Sequence, residues 1–169
     1  MRLANNKEES MEQFMVTGIA LNENEAKITV KGVPDKPGIA GFLFTKLAKA
    51  NINVDMIIQS GGREGKNDIS FTVDKNDLKE VKKIMEEIKS DLKAEKITYD
   101  PNMAKVSIVG AGMQSHPGVA ARMFTCLGKV GINIDLISTS EIKISCAVKK
   151  EEGARAVKLI HQEFELNKE

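Results

Sequence analysis

The chain has 169 residues, 41% hydrophobic and 29% charged, enough to bury one large core or two small ones. Lysine and arginine (25) nearly cancel aspartate and glutamate (24) with no long block of one sign, so the electrostatic footprint of a nucleic-acid or anionic-membrane binder is missing, and small neutral or zwitterionic partners fit better. No apolar run approaches the roughly 20 residues that cross a bilayer, and residues 1–13 are polar rather than charged and then apolar; a cytoplasmic location, with no membrane or nucleic-acid partner, is expected.

Residues 1–13 read as a flexible segment. Phe14-Met15-Val16-Thr17-Gly18-Ile19-Ala20-Leu21 reads as a strand, and so does the β-branched Ile28-Thr29-Val30-Lys31. Pro37-Gly38 then opens a segment with apolar residues at helical spacing: Ile39, Phe42, Leu43 and Leu47. Strands are predicted over 52–59 and 69–73, a helix on the stripe Leu78, Val81, Ile84, Met85, Ile88, and a closing strand at Lys96-Ile97-Thr98-Tyr99.

The order then starts again. Pro37-Gly38 recurs as Pro117-Gly118, a shift of 80, and at that shift Ala40, Phe44, Thr45, Leu47 and Lys49 meet Ala120, Phe124, Thr125, Leu127 and Lys129. Ile52-Asn53-Val54-Asp55 likewise meets Ile132-Asn133-Ile134-Asp135. The second copy has a strand at 106–109, a helix on Val119, Met123, Phe124 and Leu127, strands over 132–139 and 142–148, and a helix on Val157, Ile160 and Phe164. The fold class is therefore α+β: two ferredoxin-like βαββαβ modules, antiparallel sheets with helices on one face. No sequence follows the last helix to supply the sixth element of the second copy, so the strand at 14–21 is expected to complete it, because a bare sheet edge over a helix layer is unfavourable. The expected modules are 24–100, and 14–22 with 104–169.

Asp35-Lys36-Pro37-Gly38 joins a strand to a helix start, where unpaired amides and the positive end of the helix dipole make a seat for a carboxylate. A plain turn, with Asp35 accepting a backbone amide, uses the same residues. Asn53 and Asn133 precede alternating apolar residues, as turn residues do, and Asn53 could also reach a pocket between two sheets joined edge to edge. Gln59 has only Thr139 as its counterpart, and Asp35 and Lys36 have Ser115 and His116, so the copies are unequal. Gly110-Ala111-Gly112-Met113-Gln114-Ser115 lacks the third glycine of a dinucleotide fingerprint. Gly61-Gly62-Arg63-Glu64-Gly65-Lys66-Asn67 is one residue short of a phosphate loop and has Asn67 where Ser or Thr is required; it reads as a hairpin. Cys126 and Cys146 read as buried small hydrophobes, and His116 and His161 lack companions for a zinc site. No catalytic or metal grouping is expected.

Val16-Thr17-Gly18-Ile19-Ala20, Val33-Pro34-Asp35-Lys36-Pro37-Gly38-Ile39-Ala40, Asn53-Val54-Asp55-Met56-Ile57-Ile58-Gln59 and the run from Gly131-Ile132-Asn133-Ile134-Asp135 to Ile144 carry a resemblance to tandem ACT domains, and from Phe14 to Phe164 to the regulatory region of aspartate kinase, also made separately as its small (beta) subunit. The resemblance implies a feedback sensor in lysine, threonine and methionine synthesis, not a catalyst. No cofactor is expected: ATP and magnesium would belong to a kinase domain, the ATP-dependent phosphotransferase acting on the aspartate carboxylate, which this sequence lacks. It further implies a homodimer, a kinase chain or domain as partner, and threonine and/or lysine bound where modules of two chains meet. By motif, Asp35, Gly38, Ile39, Ala40 and Gln59 form one wall, with Asn133 and Ile134 closing it. The amides near Ile39 and Ala40 would hold the effector carboxylate, Asn133 its ammonium, and Asp35 with Gln59 its side chain. A free-standing ACT sensor without a kinase is the alternative; an RNA-binding module is disfavoured by one Tyr and no Trp.

Overall fold

The computed structural model describes residues 15–111 and 118–165. The segment 1–13, Phe14, and Ser115, His116 and Pro117 of the second turn lie outside the described residues. Among the described residues six strands and four α-helices follow one another: β1 (Met15–Pro34), α1 (Ile39–Lys49), β2 (Val54–Gly61), β3 (Lys66–Asp74), α2 (Leu78–Leu92), β4 (Lys96–Ala111), α3 (Val119–Gly128), β5 (Leu136–Thr139), β6 (Lys143–Lys149) and α4 (Gly153–Glu163). The sheet order is β2-β3-β1-β4-β6-β5, every neighbour antiparallel.

Where two sheets were expected there is one. The strands read separately at 14–21 and 28–31 are a single 20-residue β1, and those at 96–99 and 106–109 a single 16-residue β4. Residues 15–22 pair with 105–111, on the second repeat, and residues 25–31 with 96–103 on the first. The polar stretches between them look like turns, and each does begin one: the Asn24 amide donates to Asn22 Oδ1 (2.9 Å) and the Asn102 amide to Asp100 Oδ1 (2.9 Å). These Asx bonds make bulges rather than ends, because the partner strand carries the matching irregularity and pairing resumes beyond it. Glu25 lies opposite Met103, its equivalent at a shift of 78, so a local pseudo-twofold passes between them.

Alternation along the strands sorts the two faces. Ala26, Ile28, Val30, Ile69, Phe71 and Val73 turn toward α1 and α2 and form one core with Leu43, Leu47, Met85 and Leu92. Val106, Ile108, Ile144, Cys146 and Val148 turn toward α3 and α4 and form a second core with Met123, Leu127 and Ile160. Each core excludes water from about a dozen large side chains, at about 1.5–3 kcal/mol for each fully buried one, and this drives the assembly.

The helix-free face is also occupied. Thr29–Ser70 (3.1 Å) and the equivalent Ser107–Ser145 (2.7 Å) are cross-strand hydroxyl pairs. The edge strands β2 and β5 approach each other across this face, over a small apolar cluster of Met56, Met103, Leu136 and Ala147. Two ion pairs close the curl. Lys27 of β1 pairs with Asp135, just before β5, and Lys105 of β4 pairs with Asp55 of β2. Lys27 and Lys105 are repeat equivalents, as are Asp55 and Asp135, so each repeat lends a lysine to the other's aspartate. Lys105 also lies 3.9 Å from the buried Glu25, whose Oε1 accepts from Asn22 Nδ2 (2.8 Å) and whose Oε2 has no partner. Burial pushes the Glu25 carboxyl above its ordinary range; the Thr72 hydroxyl and the Lys105 ammonium act against that rise and Asp55 adds to it.

Candidate functional site

The cavity at the first strand-to-helix turn is built from three pieces of chain. β1 ends at Pro34, the turn carries Asp35 to Gly38, and α1 starts at Ile39 with Gly38 as its cap at φ +95°, a left-handed conformation that glycine adopts without a Cβ penalty. Gly118 caps α3 in the same way at φ +104°. No side chain caps α1, and its first intrahelical bond is Phe42 N–H to Gly38 C=O (2.9 Å), so the amides of Ile39, Ala40 and Gly41 are left for a ligand or water. The turn reading in which Asp35 accepts a helix amide is not what the chain does: Asp35 Oδ1 accepts instead from Asn67 Nδ2 (2.9 Å). The Asp35 amide donates to Gly65 C=O (2.9 Å), tying the turn to the β2–β3 hairpin.

The hairpin supplies the opposite wall. Gln59 lies opposite Ile69 in the β2–β3 ladder, and Asn67 lies opposite both Val33 and Gly61. Asp35, Gly38, Ile39, Ala40, Gln59 and Asn67 thus share a cavity of about 230 Å³, floored by Val33 and Ile69. That is smaller than the roughly 300 Å³ at which complete small-molecule pockets begin, so the cavity is half of an enclosure at best until a further wall covers it. Its polar endowment is a row of amides on one side and a carboxylate with two carboxamides on the other, and the exposed Lys36 of the turn lines it as well. Such a set binds and orients.

Three of the expected residues are elsewhere in the single chain. Asn53 sits at the opposite end of β2 and lines a wider opening of about 570 Å³ with Asn51, Asp74 and Asp77 at the C-terminal end of α1. Asp74 there is already engaged by Asn24 Nδ2 (2.7 Å) and the Asn76 amide (2.8 Å), so that opening is a capped turn. Asn133 is exposed and Ile134 half-buried ahead of β5, and neither lines the Asp35 cavity. Asn67 was missed by sequence reasoning. Its signal was the alternation 67, 69, 71, 73, in which a polar residue occupies the first position of an otherwise apolar inward series.

Cys146 is buried in the second core and Cys126 is half-buried against it; burial pushes the Cys146 thiol up to about 12 and the Cys126 thiol above its usual range, which suits packing rather than reactivity. Among the described residues no group of three His, Cys, Asp or Glu side chains could hold a metal, and no helix is long and apolar enough to cross a membrane.

This repeated β-α-β-β-α unit, each copy with a glycine-capped helix start, is the ACT domain: residues 27–92 and 106–164 each match an ACT domain family model. The chain is 46% identical over 161 residues to an aspartokinase of Pseudomonas aeruginosa and 47% identical over 161 residues to one of Helicobacter pylori, in both cases over 95% of this chain and 39% of the relative. Among solved structures it is similar to the "aspartokinase alpha and beta subunits" (46% identity, TM-score 0.84, 89% of this chain and 99% of that one) and to the regulatory subunit of aspartate kinase from Thermus thermophilus in its ligand-free form (40%, TM-score 0.83, 88% and 98%). The chain belongs to the aspartokinase family as its regulatory region, two ACT domains in tandem. It spans about two fifths of the length of the curated relatives it matches.

Proposed function

We propose that this region binds threonine and/or lysine in the Asp35 cavity, at an interface between ACT modules of two chains, and reports their concentration to an aspartate kinase chain or domain by stabilising one interface arrangement. By itself it carries out no reaction. The observation that carries the reading is the convergence of free helix amides with Asp35 and Gln59 in one small cavity: the amides suit an α-carboxylate, and the carboxylate and carboxamide suit a side-chain hydroxyl or ammonium. Closure by Asn133 and Ile134 of a second chain would add acceptors for the α-ammonium.

Ile57 and Ile137, repeat equivalents on the edge strands, are 52% and 44% exposed, and edge strands with bare apolar residues favour pairing between copies. The division into modules 24–100 and 14–22 with 104–169 belongs to the same proposal. A coupling of about 1–3 kcal/mol between effector and interface is enough for strong feedback control.

Titration calorimetry of the chain with threonine and lysine, singly and together, tests it. Asp35→Ala and Gln59→Ala are each expected to weaken binding, Asp35→Ala by at least tenfold, since a hydrogen bond to a charged group is worth about 1.5–3 kcal/mol. Unchanged affinity in both variants refutes the pocket. Copurification with a kinase chain distinguishes a kinase regulator from a free-standing sensor.

A further inference from the structure

We infer that Asn67 is the positioning residue for Asp35, and that it makes this site selective for ligands whose side chain donates a hydrogen bond. The inference rests on the proposal that the Asp35 cavity binds an amino acid, and it deepens it by naming the part of the ligand that is read.

Asn67 is 9% exposed and is held from two sides, by ladder pairing with Val33 of β1 and with Gly61 of β2. Its side chain therefore has little freedom. Asp35, by contrast, is on an exposed turn. A free aspartate on a turn rotates between rotamers and, next to a helix start, would swing to cap the amides of Ile39 to Gly41. The Asn67 Nδ2 to Asp35 Oδ1 bond of 2.9 Å prevents this. It keeps the carboxylate off the helix amides, which stay available for a ligand carboxylate. It also occupies Oδ1 and leaves Oδ2 as the open acceptor.

The direction of the bond matters as well. A carboxylate accepts only, so the Asn67 amide must turn its nitrogen to Asp35 and keep its carbonyl oxygen as the acceptor it has left to offer. The pair then presents two acceptors, Asp35 Oδ2 and Asn67 Oδ1, against the single N–H left on Asn67. A hydroxyl or an ammonium is matched, whereas an apolar isostere leaves buried acceptors unpaired once a second wall covers the cavity.

Calorimetry with matched ligand pairs tests this: threonine against 2-aminobutyrate, and lysine against norleucine, each pair differing in the donor. The wild-type chain is expected to prefer at least one donor-bearing member by about tenfold or more. In Asn67→Ala that preference is expected to collapse by about tenfold, with the apolar member bound about as before. Asn67→Ala placed on Asp35→Ala is expected to cost little further affinity, because Asn67 acts through Asp35; a residue that merely supports the fold would cost the same in either background. Thermal unfolding shows whether each variant is folded, and if Asn67→Ala is not, Asn67→Ser, which keeps a polar side chain too short to reach Asp35, takes its place in the cycle. Equal loss for both members of a pair, or additive losses in the cycle, overturns the inference while leaving the amino-acid site intact. No binding of any of the four ligands to the wild-type chain overturns the amino-acid site, and this inference with it.

Discussion

Lys27 and Lys105 are equivalent in the repeat and make equivalent ion pairs, yet removing them should have unequal costs. Both pairs are partly buried, with lysine side chains 20% and 17% exposed and aspartates 37% and 39%, so Lys27→Met, which keeps the apolar stem, should cost about 1 kcal/mol. Lys105 has a second task. At 3.9 Å and an effective dielectric near 20, its attraction to Glu25 is about 4 kcal/mol, and the Glu25 side chain, 4% exposed, has no water to replace it. Glu25 need not bear that whole loss, because it can take a proton: for a carboxyl with an ordinary value of 4.5 this costs about 3 kcal/mol at pH 7. Because the wild-type fold, where the Glu25 value is already raised, carries part of that cost, Lys105→Met is expected to cost more than Lys27→Met at pH 7 by less than about 3 kcal/mol. The sign of the pH dependence follows. A carboxyl whose folded value is raised contributes stability below its unfolded value and loses it as pH rises through the folded value, so the excess should shrink steadily from pH 7 to pH 5. Urea unfolding at several pH values measures it, and Glu25→Gln should rescue Lys105→Met but not Lys27→Met. Equal costs at pH 7, or an excess indifferent to pH, refutes the account of Glu25.

Further expectations concern other parts of the molecule. Burial first, and Glu86 after it, push Tyr99 up to about 12, and Cys146 also reaches about 12; both protons leave the unfolded chain more easily, so stability present below pH 9 should fall as pH rises toward 12. Tyr99→Phe should flatten the part of that loss above pH 10 in urea unfolding, because it removes a proton that leaves the unfolded chain more easily than the folded one. Gly153→Ala should destabilise by about 1 kcal/mol despite better helix propensity, since the added Cβ would stand 2.9 Å from Ala104 Cβ and 3.0 Å from Leu21 Cδ1; thermal melts decide it. A chain beginning at residue 23 should lose hydrogen-exchange protection over 143–163 before 66–92, because residues 15–22 pair only with 105–111 of β4; equal loss in both regions argues against the strand exchange.

The elements and their order were legible because each is short and strongly periodic: Leu43 and Leu47 on α1, the stripe from Leu78 to Ile88 on α2, and the alternation in β3 all state their period within a few residues. The repeat exposed the equivalence of the two turns, and with it Asp35, Gly38, Ile39 and Ala40. Continuity of β1 and β4 was not legible. Asn22-Glu23-Asn24 and Asp100-Pro101-Asn102 satisfy every local rule for a turn, and only the matched irregularity in the facing strand converts the turn into a bulge. Asn67 was hidden for a similar reason, since a polar residue at a strand start has no distinguishing feature until Asp35, 32 positions earlier, is brought to its amide.

Sequence alone thus determined the α+β class, the two copies, the glycine-capped helix starts and their inequality, because each depends on neighbours within about one turn or one strand. Tertiary structure alone decided that the copies share one curled sheet, that Lys27 and Lys105 reach across to Asp135 and Asp55, and that Asn67 donates to Asp35. Those are contacts between residues tens of positions apart, and no local pattern encodes which of many polar side chains will be left facing which.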